Sequence, residues 1–392
     1  MPVTAQSLLS HARELAARAA DRAVESEVAR TLAPDLVAAL REIGIFRMFV
    51  PRSHGGLELE FPETLPIIEA LACGDGAIGW TAMIGSHLPL FAAPLPRRSF
   101  DQLYSNGPDL IGAGAAVPAG RAEVTEGGFV VSGRWPFASG CRHADYIFGF
   151  CVAMNEAEPV AGPADGAPSL RAVLVPAGAW GIEDTWYAAG LKGTGSHHVT
   201  LSNVRVPEEM TYDILTTKSN IAGPLYCAGP FFLLALHVGA VAVGVAEGAI
   251  RDLVANANSG RRQLRARMDL RDNPLLQHEL GRADADVRAA RAFLYSQCES
   301  YWHTATAGKI IDFAAGAAGL QALAWITATC ARATDLCYTL GGGVALYESS
   351  PLQRRLRDIH AVTQHSFTHL RRFGGVGRLR LGFPAVHPLL DG

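Results

Sequence analysis

The sequence lacks the features that mark secreted or nucleic-acid-binding proteins. Its net charge is only −3 over 392 residues, so no strong field of either sign favours nucleic acid or an anionic membrane. The N-terminus has no basic stretch followed by an apolar core, which is the pattern of a secretory signal. The seven cysteines are scattered and predict neither a disulfide framework nor a metal site. A cytoplasmic protein with reduced thiols is therefore expected.

Motifs for nucleotide phosphates are absent as well. Residues 111–117 contain a glycine pattern loosely like a dinucleotide-binding turn, but Pro118 and Gly120 follow at once. That motif must open a helix within a βαβ unit. No Gly-Lys-Ser or Gly-Lys-Thr phosphate loop occurs. The chain therefore has no recognisable nicotinamide site of its own.

One long apolar run, residues 231–250, has the length of a membrane span. It contains His237 and Glu247 and is rich in glycine and alanine. A spanning helix would have to hide those polar groups from lipid, whereas small residues suit close packing between helices. We therefore expect a buried core helix.

The order of hydrophobic patterns predicts the domains. Apolar residues make up 49% of the chain and charged residues 18%, a balance typical of a folded protein with a large core. Helical spacing comes first, then short strands with glycine-rich turns, then helical spacing again. The predicted strands are 129–135, 146–150, 171–175 and 198–201, with an exposed loop at 156–168, and the predicted long helices are 235–255, 275–306, 310–340 and 351–370. We predict an α+β chain with an N-terminal helical domain (1–110), a middle β-domain (111–215) and a C-terminal four-helix bundle (216–392).

The C-terminal part carries the most informative motif. A glycine triplet at 341–343 is followed by Pro351, then by Arg357-Asp358, and then by Gln364-His365-Ser366. This order is similar to the end of the acyl-CoA dehydrogenases, where the segment leads to a catalytic carboxylate. Because this chain has His365 and no Glu there, it resembles the flavin-dependent monooxygenases of the two-component group, which share the acyl-CoA dehydrogenase fold. The resemblance covers nearly the whole chain.

The resemblance implies that residues 135–140 line a flavin. The sequence there, Trp-Pro-Phe-Ala-Ser-Gly, matches a strand and turn that lie along the isoalloxazine ring. Trp135 and Phe137 would pack on the ring face, and the hydroxyl of Ser139 would bond its N5/O4 edge. An ordinary turn at the end of a strand is the alternative interpretation.

Two further segments match cofactor-binding positions of the family. Residues 190–196 resemble a glycine-rich loop that approaches the flavin closely, so Thr194 and Ser196 are expected to contact its oxygens, with Trp186 covering the ring. The basic run at 260–267 matches a segment that supplies an arginine to the flavin phosphate. Arg262 is the candidate there, although such runs are usually solvated surface.

The implied activity is that of an oxygenase component. A separate NAD(P)H:flavin reductase would supply reduced FMN (or FAD), O₂ would convert it to a C4a-hydroperoxyflavin, and a small aromatic or heteroaromatic substrate would be hydroxylated. His365 would either withdraw a substrate proton or donate one to the peroxide. His87 either reaches the substrate pocket or is an ordinary core histidine.

Two other interpretations remain open from the sequence. An acyl-CoA dehydrogenase or oxidase could carry its carboxylate base on an earlier helix, where Glu247 and Glu279 occur. A non-catalytic helical scaffold would explain the bundle but not the motifs. The helices at 235–255 and 310–340 are apolar on more than one face, whatever the activity. In a monomer, part of that apolar surface would be exposed to solvent. The acyl-CoA dehydrogenase fold buries it in a dimer of dimers, so a homotetramer is expected, with a dimer as the alternative.

Overall fold

Helices, then a β-sheet, then helices follow one another along the chain, which confirms the predicted α+β fold. A computed structural model describes residues 3–156, 158–162, 168–260, 262 and 267–384. Parts of two predicted surface segments lie outside the described residues: 157 and 163–167 of the loop, and 261 and 263–266 of the basic run.

Local capping sets the ends of the N-terminal helices. Pro34 stands in the first turn of α3, where its missing N–H costs no hydrogen bond, and Gly44 ends that helix with φ of +98°. Asp75 caps α5, because its Oδ1 accepts the backbone N–H groups of Ala77 and Ile78 at 2.9 and 3.1 Å. The helices are α1 (Ala5–Asp21), α2 (Ala23–Ala29), α3 (Pro34–Ile43), α4 (Phe61–Gly74), α5 (Gly76–Ser86), α6 (Leu88–Ala92) and α7 (Arg97–Leu103).

The middle region is a single mixed sheet. Its strands are β1 (Gly112–Thr125), β2 (Gly128–Ala138), β3 (Tyr146–Asn155), β4 (Glu158–Pro159), β5 (Leu170–Pro176), β6 (Gly181–Glu183), β7 (His197–Pro207) and β8 (Thr211–Asp213). Their order is β6-β7-β2-β1-β3-β5-β8, with β4 beside β3 and only β1 and β3 parallel among the described strands. The sequence pattern does not predict β1, because its first half is mostly glycine and alanine and ends in proline. Position 114 has no room for a side chain, because a Cβ there would lie 2.4 Å from the Phe148 ring of β3.

The C-terminal region is a helical bundle whose fourth long helix is shorter than expected. The predicted helix 351–370 is wrong at its end, since α12 stops at Thr363. Thr368 Oγ1 donates to the Val362 carbonyl at 2.7 Å, taking an acceptor that the next helical turn would use, and the turn that follows holds His365. The helices are α8 (Pro224–Cys227), α9 (Pro230–Ala257), α10 (Pro274–Thr306), α11 (Phe313–Gly341), α12 (Pro351–Thr363) and α13 (Phe373–Arg380).

Helix α9 is the centre of the helical core. Within the described chain, α9 and the stretch Phe313–Leu346 are long and apolar enough to cross a bilayer. Nearly all of α9 is nevertheless buried, against α4, α10, α11 and α12, so the expected core helix is present. Its glycines allow close approach: a Cβ on Gly244 would lie 2.5 Å from the Glu69 carbonyl oxygen of α4.

We predict opposite effects for two Gly→Ala substitutions in long helices. Gly244→Ala should destabilise the protein by about 1–3 kcal/mol, because a methyl group there forces α4 and α9 apart. Gly281→Ala, on a face of α10 where no described residue outside the helix backbone lies within 4 Å of the added Cβ, should stabilise it by about 0.5–1 kcal/mol. Urea unfolding of both variants measures the difference, and equal stabilisation by the two alanines would contradict the packing of α9 described above.

Candidate active site

Three hydroxyl groups and one indole N–H from separate parts of the chain form a hydrogen-bonded group, which we call the hydroxyl cluster. Trp80 lies on α5, Ser139 follows β2, and Thr194 and Ser196 precede β7. Ser139 Oγ accepts the Trp80 Nε1 proton at 3.0 Å and lies 2.7 Å from Ser196 Oγ. Ser196 Oγ in turn lies 2.7 Å from Thr194 Oγ1. All four side chains are buried, so the fold brings together the three predicted hydroxyl residues and adds Trp80.

The loop that carries Thr194 and Ser196 is held against α12 by the Arg-Asp motif. Leu191, in the left-handed region with φ of +49°, donates its backbone N–H to Asp358 Oδ1 at 2.6 Å. Arg357 Nη1 donates to the Ala189 carbonyl at 2.8 Å. Gly190 packs so closely on α12 that a Cβ would lie 2.0 Å from the Arg357 carbonyl oxygen. The glycine-rich loop and the Arg-Asp pair therefore act as one structural unit.

Asp358 also contacts the beginning of α5. A Cβ on Gly76 would lie 3.1 Å from Asp358 Oδ2, so this carboxyl is close to the helix cap Asp75. Burial raises the pKa of Asp75. Burial, together with the nearby Asp75 carboxyl, raises the pKa of Asp358 to about 7.

His365 lies in the turn after α12, beside the hydroxyl cluster. The centre of its ring is 5.4 Å from that of Trp80 and 4.9 Å from that of Phe367, both in edge-to-face arrangement. Its Nδ1 accepts the Phe367 backbone N–H at 3.3 Å. Poor solvation of the ring and the charge of Arg372 lower the pKa of His365 to about 4, so the imidazole is neutral at pH 7 with its proton on Nε2.

His87 is buried beside a second histidine that the sequence patterns do not single out. Its ring centre is 5.0 Å from that of His237 on α9, and Phe49 and Phe61 pack around the pair. Burial lowers the pKa of His87 to about 4 and that of His237 well below its ordinary value. Both rings are therefore neutral.

The tautomers of these two histidines follow from their partners. His87 Nδ1 lies 2.8 Å from the Met83 carbonyl, so Nδ1 must be the donor. Thr64 gives its only hydroxyl proton to the Phe61 carbonyl, so His237 Nε2, 2.9 Å away, must donate to Thr64. His87 Nε2 and His237 Nδ1 are left as buried acceptors with no partner among the residues that the structure describes.

The aromatic residues of the 135–140 motif have different environments. Trp135 is fully buried in the core of the sheet, where it packs on Trp180 and donates to the Phe150 carbonyl. It therefore has no exposed face to offer the flavin, contrary to expectation. Phe137 has φ of +64° and is 63% exposed. Its ring lies 6.3 Å from that of Trp186, which leaves an open aromatic surface two residues from Ser139.

The charged candidates lie in ion pairs. Arg262 is exposed and pairs with Asp269 at 2.6 Å, and it makes none of the hydrogen bonds of the hydroxyl cluster. Glu247 is bound by Arg291 Nη2 at 3.0 Å. Glu279 is bound by Arg282 at 2.9 Å. Neither glutamate has the unpaired carboxylate that a thioester dehydrogenase would need as its base.

Family comparisons establish the class of the fold. The acyl-CoA dehydrogenase N-terminal domain matches residues 4–97, and the acyl-CoA dehydrogenase C-terminal domain matches residues 236–370. The crystal structure of 3-HSA hydroxylase from Rhodococcus sp. RHA1 is similar with a TM-score of 0.89 at 24% identity, covering 98% of this chain and 99% of that one. The chain thus has the acyl-CoA dehydrogenase fold.

Curated relatives narrow this class. The chain is 32% identical to the indole-3-acetate monooxygenase of Acinetobacter baumannii, over 85% of this chain and 83% of that protein. It is 30% identical to the FADH(2)-dependent resorcinol hydroxylase, oxygenase component, of Rhizobium sp., over 87% and 85% of the two chains. The chain belongs to the flavin-dependent monooxygenases built on the acyl-CoA dehydrogenase fold, as an oxygenase component. The monooxygenase interpretation is confirmed over the dehydrogenase one.

We predict that Asp358→Asn changes how stability depends on pH. The folded-state pKa of this carboxyl, about 7, lies above its ordinary value of 3.8. Its contribution to the free energy of unfolding is therefore complete below about pH 4 and is lost as the pH rises through 7. Asparagine keeps the oxygen that accepts the Leu191 N–H but does not titrate. Urea unfolding at pH 5 and pH 8 measures this. The free energy of unfolding of the variant, relative to that of the wild type, should be higher at pH 8 than at pH 5. The same difference at both pH values would contradict the raised pKa of Asp358.

Proposed function

We propose that this chain hydroxylates a small aromatic or heteroaromatic compound bearing an O–H or N–H group, using reduced FMN or FAD and O₂. The observation that carries the proposal is the meeting of the hydroxyl cluster and His365 at Trp80. The Trp80 indole bonds Ser139 on one side and contacts His365 on the other. Ser139, expected at the flavin edge, and His365, expected to transfer or donate a proton, are thus separated only by the side chain of Trp80.

The surroundings of Ser139 fit a flavin. The exposed Phe137 ring offers a stacking surface, the buried hydroxyl groups offer polar contacts, and the glycine-rich loop permits close approach. When bound, a reduced flavin would supply the electrons that activate O₂. The protein would position the reactants, control protons and exclude water. A separate NAD(P)H:flavin reductase delivers the reduced flavin. We place both proteins in the cytoplasm, which is supported by the seven free cysteines.

His365 acts as a hydrogen-bond donor in this proposal. Its Nδ1 is occupied by the Phe367 N–H, and the neutral ring therefore carries its proton on Nε2. An Nε2–H group can donate to a reacting oxygen, whereas taking up a proton would require the charged ring that its surroundings disfavour. Of the two roles left open by the sequence, base or donor, this geometry supports the donor.

His87 and His237 support a substrate that carries a donor group. Each has a buried nitrogen acceptor with its tautomer set by a neighbour, and leaving such an acceptor unpaired costs about 1–3 kcal/mol. His87, the C-cap residue of α5, lies two helical turns after Trp80 on the same side of the helix. A phenol O–H or an indole N–H would satisfy one of these acceptors, while the rings of Phe49 and Phe61 suit a flat apolar body.

The proposal is tested by supplying chemically reduced flavin to the protein with O₂ and a panel of phenols and indoles. We expect hydroxylated products by mass spectrometry, with methylated analogues, which lack the donor, reacting more slowly. His365→Ala should still bind reduced flavin but lose about 100- to 10,000-fold in product formation, releasing H₂O₂ instead. His365→Gln, which keeps an N–H donor but cannot act as a base, should recover part of the activity.

His360→Ala is the matched control for His365. His360 lies on α12, shortly before the turn that holds His365, but it is exposed and pairs with Asp335 at 2.7 Å. Its loss should leave the ratio of product to H₂O₂ unchanged. If His365→Ala hydroxylated at the wild-type rate, or if His365→Gln were as inactive as the alanine variant, the donor role would be wrong.

We further propose a homotetramer, assembled through the outer faces of α10 and α11. Phe293 on α10 and Trp325 on α11 are 43% and 37% exposed, with ring centres 5.8 Å apart. The remainder of α11 is apolar and only partly buried in a single chain. Such a surface is normally covered in a soluble protein.

Light scattering should give the mass of four chains at micromolar concentration. Trp325→Glu should shift the distribution towards smaller species, because it places a charge in the buried interface. Val28→Glu, at an exposed position on α2, serves as the control and should leave the mass unchanged. A monomeric wild-type protein would rule the assembly out.

A further inference from the structure

The hydrogen bonds of the hydroxyl cluster can point in only one direction. Thr194 Oγ1 lies 2.8 Å from the Leu191 carbonyl oxygen. That oxygen can only accept, so Thr194 must donate its single hydroxyl proton to it. Ser196 must then donate to Thr194, because Thr194 has no proton left for the 2.7 Å bond between them. The Ser196 proton is then in use, so Ser139 must donate in the 2.7 Å bond between Ser139 and Ser196. The Trp80 indole N–H donates to Ser139 Oγ.

This direction leaves Ser139 with an acceptor and no donor. Its proton is committed to Ser196, and one of its two lone pairs accepts the Trp80 N–H. One lone pair remains. A reduced flavin carries a hydrogen on N5, whereas an oxidised flavin presents a lone pair there. The remaining lone pair of Ser139 therefore complements the reduced form and opposes the oxidised form.

We propose that the ordered hydroxyl cluster selects the redox state of the flavin, with Thr194 and Ser196 as the positioning residues that make Ser139 an acceptor. This inference rests on the proposed function, in which the N5 edge of the flavin meets Ser139. It assigns no electron transfer to the cluster. A site that retains reduced flavin and releases oxidised flavin suits an oxygenase that exchanges its flavin with a separate reductase.

The end of the cluster is rigidly held, so its direction does not reverse easily. The Leu191 carbonyl also accepts the Trp186 Nε1 proton at 3.1 Å and the Thr194 backbone N–H at 3.1 Å. The Leu191 N–H is bound by Asp358 on α12. The acceptor that orients every hydroxyl is thus fixed by the same helix that leads to His365. Because the carbonyl keeps two donors without the Thr194 hydroxyl, replacing that hydroxyl leaves no buried carbonyl unpaired.

Thr194→Val tests the direction with a side chain of the same shape. Without the Thr194 acceptor, Ser196 can turn its proton towards Ser139, and Ser139 is then free to donate to N5 of an oxidised flavin. Oxidised FMN or FAD should bind about 3- to 10-fold more tightly, the value of one hydrogen bond gained, while reduced flavin should bind no more tightly. Ser196→Ala frees the Ser139 proton directly and should act in the same sense. Thr194→Ser keeps the hydroxyl and should behave as the wild type.

The measurement is equilibrium binding of oxidised and anaerobically reduced FMN and FAD, followed by flavin fluorescence and absorbance without any turnover. Circular dichroism and thermal unfolding confirm that each variant is folded. The proposal is supported if the ratio of the affinities for reduced and oxidised flavin falls in Thr194→Val and Ser196→Ala but stays at the wild-type value in Thr194→Ser. If the folded variants keep the full preference, or lose affinity for both redox states equally, the proposal is overturned while the proposed function stands. A wild-type protein that binds neither form overturns the proposed function itself.

Discussion

The bond between the Leu191 N–H and Asp358 is the contact on which the site depends. It joins the glycine-rich loop before β7 to helix α12, two segments 167 positions apart in the chain. From the loop side it fixes the carbonyl that orients Thr194, Ser196 and Ser139. From the helix side it fixes the start of the segment that ends in His365. The same carboxyl lies beside the N-cap of α5, the helix that carries Trp80 and is followed directly by His87.

Burial gives this site a consistent electrostatic character. The histidines next to it are held neutral because their rings are poorly solvated, and each tautomer is set by a neighbouring backbone or hydroxyl group. Neutral groups with assigned donors and acceptors suit chemistry in which a reactive oxygen species must be kept dry and hydrogen-bonded. A dehydrogenase that removes a proton from a thioester needs a charged carboxylate base instead, and the candidate glutamates of this chain are bound by arginines.

The family relationship and the geometry account for different parts of this protein. Relatives establish an oxygenase component with the acyl-CoA dehydrogenase fold. They do not explain why Ser139 would favour one redox state of a flavin or which role suits His365. Those answers come from counting protons between oxygens 2.7 to 2.8 Å apart and from the Phe367 N–H at His365 Nδ1. The functional consequences of the fold therefore lie in the direction of individual hydrogen bonds.

The sequence by itself determined the order of helices and strands, because hydrophobic spacing and capping residues act over a few positions. It also marked Ser139, Thr194, Ser196 and His365 through short motifs. It did not predict β1, whose glycines make sense only against Phe148 of a neighbouring strand. Nor did it place the end of α12, which depends on the Thr368 hydroxyl folding back on Val362.

Only the tertiary structure decided which motif residues face the site. Trp135 and Phe137 are two positions apart on one strand end, yet one is in the core and the other is exposed, because the left-handed backbone at Phe137 interrupts the alternation. Trp80 and His237 carry no motif, although Trp80 shares a helix face with His87, which was a usable signal. Hydrogen-bond direction is set by partners distant in the chain, and a pattern of neighbouring residues contains no information about it.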